Sequence, residues 1–193
     1  MSKIKGLIFD LDGVLVNTKK LHFDALNLAL KKLNLKEISY VDHLNIYDGL
    51  PTIKKLEILN KKKIVDKKFN KTIKQIKQKN TLKLLNNYIK FNPKIHNTFS
   101  KLSKNYKISL ATNAVKKTLD LCLKKLRINK FISFKYSNED VNNNKPHPEV
   151  YLKCLVNMGL KPSQTLIFED SHHGVMAAQD SGCLLYTVKN ISD

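Results

Sequence analysis

The sequence predicts an α/β fold: a Rossmann-like, doubly wound parallel sheet with an α-helical insertion. Three observations carry this reading. Short apolar runs stop abruptly at polar residues, at Phe9-Asp10, Ala111-Thr112 and Phe168-Glu169. Helical patterns separate the later runs, as the crossovers between parallel strands require. The stretch from residue 17 to residue 89 breaks the alternation and shows helical patterns alone.

Taken in order, residues 3–9 become continuously apolar and end at Asp10, as a strand buried on both faces does. Helices are expected over residues 18–33, 52–59 and 67–88, the last with Phe69, Ile73, Ile76, Leu82 and Leu85 on its apolar side. A helix over 93–104 has Asn92 as its N-cap and Pro93 at its first position. A second strand is expected at 107–111, followed by a helix over 115–126 with Val115, Leu119, Cys122, Leu123 and Leu126 in helical spacing. A weaker strand covers 131–136. A helix over 147–158 stops near Gly159, and a strand covers 165–168. A helix over 174–180 stops near Gly182, and a last strand runs over 184–188. The expected division is a core of residues 1–16 and 90–193, with 17–89 as a helical cap. The chain ends soon after its last strand, so that edge of the core is expected to be less covered.

The 193 residues suit one core of about 100–150 residues plus an insertion. A hydrophobic content of 42% argues against a disordered chain. No apolar run approaches the roughly 20 residues of a membrane span. The first segment leads into acids rather than a cleavage site, so a cytoplasmic protein without a signal peptide is expected. Cys122, Cys154 and Cys183 are scattered and read as reduced core thiols. The formal charge of +19 comes from lysines on almost every polar helix face. That reads as a general basic bias that helps to draw in anionic substrates, and a nucleic-acid-binding protein is the weaker alternative.

The chemistry gathers at the strand ends, where open α/β sheets bind ligands. Asp10 and Asp12 stand two apart beyond the first strand. In an extended segment such side chains point the same way. Two carboxylates held close repel unless a cation or a shared proton intervenes. Mg²⁺, a hard cation bound by carboxylate and carbonyl oxygens, meets that need. A tight turn would account for Gly13 but not for Asp10. Thr112-Asn113 and Glu169-Asp170 fall at the ends of other strands.

Phe9-Asp10-Leu11-Asp12-Gly13-Val14-Leu15 resembles the first motif of the haloacid dehalogenase-like superfamily. Thr112-Asn113 resembles the second, Lys145-Pro146-His147-Pro148-Glu149 the third, and Phe168-Glu169-Asp170-Ser171-His172-His173-Gly174 the fourth. Four motifs in order cover nearly the whole chain, and the insertion matches the helical cap of the β-phosphoglucomutase and sugar-phosphatase-like branch. The resemblance implies that Asp10 attacks phosphorus and forms an aspartyl-phosphate. It implies that Asp12 is the acid and base, and that its backbone carbonyl binds Mg²⁺ beside Asp10. Glu169 and Asp170 would complete the metal site, while Thr112, Asn113 and Lys145 would hold the phosphoryl oxygens. The physics agrees: an anionic nucleophile reaches a phosphate only if cations and oriented donors offset the repulsion. Dehalogenases lack the second acid, because a halide leaves without a proton, so dehalogenation is disfavoured.

The expected activity is therefore a Mg²⁺-dependent phosphatase acting on a small phosphorylated metabolite, first of all a sugar phosphate. The alternative is a hexose phosphomutase, and a monomer is expected. Departures from the branch pattern bear on the cap. Asn17 stands where relatives carry an aspartate, and His22 matches a histidine of mutase-like hinges. Thr52 stands where β-phosphoglucomutases carry an arginine that grips a distal phosphate. Lys54 and Lys55 are the nearest cations, without the guanidinium fork. Lys79-Asn80 resembles a mutase Lys-Asn pair, so Lys54 and Lys79 are the specificity candidates. His43 and His96 are expected at the surface, His147 as positional, and His172 and His173 at a helix start beside the site.

Overall fold

The computed structural model describes residues 3–189. Five parallel strands form one sheet: β1 (Gly6–Phe9), β2 (Lys107–Ala111), β3 (Phe134–Tyr136), β4 (Thr165–Glu169) and β5 (Leu184–Thr187). Their order is β3-β2-β1-β4-β5. β1 pairs with β2 through Phe9 opposite Leu110, and with β4 through Phe9 opposite Phe168. The chain winds outward on one side of β1 and then crosses to the other. The crevice at the carboxyl ends of β1, β2 and β4 is the ligand position this topology favours.

Alternation along β1 feeds two cores. Leu7 and Phe9 join Ile108 and Leu110 on one face, under α5 (Pro93–Leu102) and α6 (Lys116–Leu126). Ile8, Ala111 and Ile167 face the other way, under α7 (Glu149–Met158) and α8 (His172–Asp180). Phe9 stacks on Phe168 with centroids 4.5 Å apart. Each such buried side chain contributes roughly 1.5–3 kcal/mol. Cys122 and Cys154 are buried free thiols and Cys183 is partly buried. At the outer edge, Leu184 and Tyr186 of β5 are about half exposed.

Helix ends follow local chemistry. Asn92 Oδ1 accepts the Lys94 and Ile95 amides, as expected of an N-cap. α7 ends at Gly159, whose φ of 64° is cheap only for glycine. α7 begins at Glu149 and not at 147, because Lys145 to Pro148 form a turn that delivers Lys145 to the sheet. α8 begins two residues earlier than expected, because Ser171 caps it by accepting the Gly174 amide.

The insertion contains α1 (Lys19–Lys32), α2 (Tyr40–Asp42), α3 (Thr52–Lys61) and α4 (Asn70–Tyr88). Its own apolar cluster includes Leu26, Leu30, Tyr47, Leu56, Leu59 and Ile73. α4 then runs on into the sheet core through Leu85, followed by Ile89. The helix expected over 67–88 is divided: Asp66 caps a tight turn at Lys67–Phe69, and α4 starts at Asn70. Sequence patterning missed α2 and the wide turn His43–Tyr47 that follows it. These pieces are too short for periodicity and are held by tertiary contacts. Asn27, for instance, bonds both the amide and the carbonyl of Ile38.

Two histidines are not where the sequence reading put them. His43 is completely buried, against Phe23 and Tyr40. His96 is half-buried between Phe91 and Phe131. Aromatic neighbours distant in sequence cover both rings. Among the described residues no helix is long and apolar enough to cross a membrane.

Candidate active site

The strand ends bring the four motif segments into one cleft. It is lined by Asp10, Asp12, Thr112, Asn113, Lys145, Glu169 and Asp170 from the sheet side, and by residues of the insertion opposite. Lys145 lies at the centre and is almost wholly buried. Its Nζ donates to Asp10 Oδ1 and Glu169 Oε1, each at 2.6 Å, and to Ala111 O at 2.8 Å. Burial would lower the proton affinity of Lys145, but the Asp10 and Glu169 carboxylates outweigh it and push the ammonium well above its usual range.

Glu169 is fully committed. Oε1 also accepts the Tyr151 hydroxyl at 3.0 Å. Oε2 accepts the Asp170 and Ser171 amides at 2.9 and 3.0 Å and the Ser171 hydroxyl at 3.1 Å. Burial would raise its pKa, but Lys145 and these donors hold it low. Gly174 belongs to this arrangement, since a Cβ there would run into the Glu169 carboxylate.

Asp10 and Asp170 are less fully satisfied than Glu169, Asp10 sharing Lys145 and Asp170 pairing with Lys19 at 3.0 Å. Burial pushes the Asp10 carboxyl well up, and Glu169 and Asp12 add to that against the pull of Lys145. Burial likewise pushes Asp170 up to about 6, against the pull of Lys19. Asp170 Oδ1 is buried with no hydrogen-bond partner. One oxygen from each of Asp10, Glu169 and Asp170 lies within 4.8 Å of the others. Three clustered carboxylates, one of them with an orphaned oxygen, make a donor set that fits a hard divalent cation.

Asp12 is not in that cluster. Its Oδ1 accepts the Thr18 hydroxyl at 2.5 Å and lies 3.2 Å from His22 Nε2. Burial opposes its charge, yet His22, Thr18 and Lys77 prevail and hold it at about 2. The two aspartates thus occupy different environments, one facing Lys145 and one facing the insertion.

Thr112 is buried and its hydroxyl accepts the Ala114 amide at 3.0 Å. Asn113 ties the segments together. Its Nδ2 donates to Gly49 O of the insertion at 2.9 Å, and its Oδ1 accepts the Lys145 amide at 3.2 Å.

The insertion candidates divide. His22 and Thr52 line the cleft. Lys54 does not; it is exposed and pairs with Glu57 at 3.0 Å. Lys79 is exposed on α4 and is also absent from the lining. Lys55 and Lys77 take those places, both buried and both in the cleft wall. A signal for Lys77 was present in the sequence: Ile73, Lys77, Thr81 and Leu85 recur every four residues and form the buried stripe of α4. Lys19 was also missed. Its Nζ lies 3.0 Å from Asp170 Oδ2 and 3.4 Å from Asp48 Oδ2, joining the sheet side to the insertion loop. Asn17 is exposed and Thr18 is buried. His172 and His173 begin α8 as expected, and exposed His147 accepts the Glu149 amide at 3.2 Å.

Comparison with known proteins agrees with this geometry. The family model for haloacid dehalogenase-like hydrolases matches residues 7–188. A phosphorylated carbohydrates phosphatase of Thermotoga maritima is 29% identical over 93% of this chain and 82% of its own. The pyrophosphatase PpaX of Bacillus cereus is 27% identical over 93% of this chain and 81% of its own. The crystal structure of a β-phosphoglucomutase from Clostridium difficile superposes with a TM-score of 0.83 at 24% identity, over 98% of this chain and 86% of that one. Matched across nearly its whole length, the chain belongs to the haloacid dehalogenase-like hydrolases, on their phosphatase side.

Proposed function

We propose that the protein is a Mg²⁺-dependent phosphatase that cleaves small phosphate monoesters through a phosphorylated Asp10. The observation that carries this reading is the meeting of Asp10 and Lys145 at 2.6 Å beside the Asp10-Glu169-Asp170 cluster. Asp10, Asp170 and the backbone carbonyl of Asp12 would hold the ion, and Glu169, whose oxygens are already engaged, would fix Lys145 and the loop around it. When bound, the ion would offset the charge of the phosphoryl oxygens and of the carboxylates around them.

Asp10 attacks phosphorus as the bond to the leaving oxygen breaks. Asp12 gives that oxygen a proton. That proton comes from solvent: Asp12 is ionised in the empty cleft, and a phosphate dianion entering beside it raises its proton affinity so that it takes one up before the bond breaks. Asp12 then takes a proton from water as the water oxygen attacks phosphorus, and the Asp10–phosphorus bond breaks to restore the carboxylate. Lys145 and the donors at Thr112 and Asn113 stabilise the equatorial oxygens. We assign residues 17–89 as the cap that closes over this step, with residues 1–16 and 90–193 as the catalytic core.

The names of the two curated relatives support a phosphorylated small molecule as substrate. The mutase reading retains His22 beside Asp12 but loses Lys79, which lies outside the cleft. Replacing Asp10 with Asn tests the phosphatase reading. Mg²⁺-dependent phosphate release from p-nitrophenyl phosphate is expected to fall by about a thousandfold or more. Retained activity would refute it.

A further inference from the structure

Lys19 opens α1 at the seam between the insertion and the strand ends. Nothing local explains a cation there. A positive side chain at a helix N-terminus meets the positive end of the helix dipole, and the first turn of α1 carries no acid to balance it. The Thr18 hydroxyl, which could cap the helix, goes to Asp12 instead. The partners of Lys19 are distant in sequence: its Nζ lies 3.0 Å from Asp170 Oδ2 and 3.4 Å from Asp48 Oδ2.

Asp170 therefore faces two demands. Its Oδ2 belongs to Lys19, while its Oδ1 is buried with no hydrogen-bond partner, and the residue stands in the Asp10-Glu169-Asp170 cluster. Lys19 has two opposing effects on a cation bound there. Holding Oδ2 keeps Asp170 in one rotamer, which spares the ion the entropy of ordering a short side chain. An ammonium touching a ligand carboxylate also repels the ion, and a divalent charge doubles that repulsion. Asp170 is already confined without Lys19, because its side chain is 6% exposed and a Cβ on Gly13 would run into its carboxylate. The ordering gain is thus small, burial leaves the repulsion poorly screened, and repulsion wins.

We propose that Lys19 and Mg²⁺ are rivals for Asp170, and that Lys19 couples metal loading to the contact between the Asp48 loop and the strand ends. This rests on the metal site of the phosphatase reading. Asp48 gives the lysine a partner to keep on the insertion side. Its loop lies directly on the strand-end loop, since a Cβ on Gly49 would stand 3.2 Å from Ser171 Cβ. When Lys19 withdraws to Asp48, the ionic bridge across the seam is lost and the bond from Asn113 to Gly49 remains. Coupling of this kind is reciprocal, so whatever lifts the loop also favours Mg²⁺.

The test titrates Mg²⁺ into substrate-free protein by isothermal titration calorimetry. Lys19→Met is expected to bind Mg²⁺ about tenfold more tightly than the wild type, and Lys19→Arg to bind as the wild type does. Lys19→Gln repeats the comparison with a neutral polar side chain. Hydrogen–deuterium exchange follows the loop. Saturating Mg²⁺ should speed exchange of the amides over residues 47–52 in the wild type. In Lys19→Met the same amides should exchange fast with or without the ion. A lysine that only orients Asp170 would instead make Lys19→Met bind Mg²⁺ more weakly. Equal or weaker binding in both neutral variants, or wild-type exchange that does not respond to Mg²⁺, would overturn the proposal. If neither the wild type nor the variants bind Mg²⁺, the metal site itself is refuted, and the rivalry with it.

Discussion

Lys145 shows how one residue joins stability to chemistry. It is buried between Asp10 and Glu169 at 2.6 Å from each. Removing one partner of a buried ionic group leaves the others uncompensated, which typically costs about 3–5 kcal/mol. Urea unfolding of Lys145→Met is expected to show a loss of that size, together with loss of phosphatase activity. A variant as stable as the wild type would mean that the ionic group is solvated. His43 gives a separate test. Burial, with Lys55 nearby, holds it down to about 4, whereas in the unfolded chain it titrates near 6.5. Above about 6.5 both states are neutral and nothing is lost; as pH falls toward 4 only the unfolded chain takes the proton, so stability declines. The melting temperature of His43→Phe should therefore fall less steeply over that window than that of the wild type. That Asp10, Asp12, Lys145 and Asp170 share one cleft was legible in the sequence, because each stands at or beside a strand end in a motif. Lys55 and Lys19 were not, because nothing local separates a buried lysine from many solvated ones; Lys77 becomes legible once the face of α4 that carries Ile73 and Leu85 is assigned.

At the scale of elements, the strands were the most legible feature. A strand buried on both faces needs an unbroken apolar run, and Gly6–Phe9 and the apolar part of β2 are buried throughout. Helix starts were less legible, since Ser171 and the turn at Lys145 to Pro148 act through single hydrogen bonds or through delivery of one side chain. The short pieces at 40–47 left no periodic trace. Two glycines separate stability from function at this level. Gly159 ends α7 in open space, so Gly159→Ala should cost about 1–2 kcal/mol through its left-handed backbone and leave catalysis intact. Gly174 faces the Glu169 carboxylate, so Gly174→Ala should displace Glu169 and loosen its hold on Lys145. Its kcat is expected to fall by about tenfold or more. Circular dichroism with steady-state kinetics distinguishes the two variants, and unchanged kcat in Gly174→Ala would show that Glu169 does not position Lys145.

For the whole molecule, the fold class and the order of the four motifs were readable because parallel topology forces the strand ends together. The way the insertion meets the sheet was not readable. It depends on single contacts such as Asn113 to Gly49 and Lys19 between Asp48 and Asp170. The +19 charge acts at this scale as a diffuse field. It should speed the arrival of anionic substrates, so kcat/KM should decline as salt is raised and the field is screened beyond about 10 Å. Fluorescence anisotropy with mixed-sequence duplex DNA at about 50 mM salt should show no steep, salt-sensitive binding; tight binding would favour the nucleic-acid reading. The central claim is that Asp10 becomes covalently phosphorylated. The most direct measurement is mass spectrometry of protein quenched in acid during turnover with Mg²⁺ and substrate. The expected result is one added phosphoryl group on the peptide containing Asp10, absent in Asp10→Asn. Turnover with the phosphoryl group on another residue, or with none trapped under conditions that trap a related aspartyl-phosphate enzyme, would contradict it.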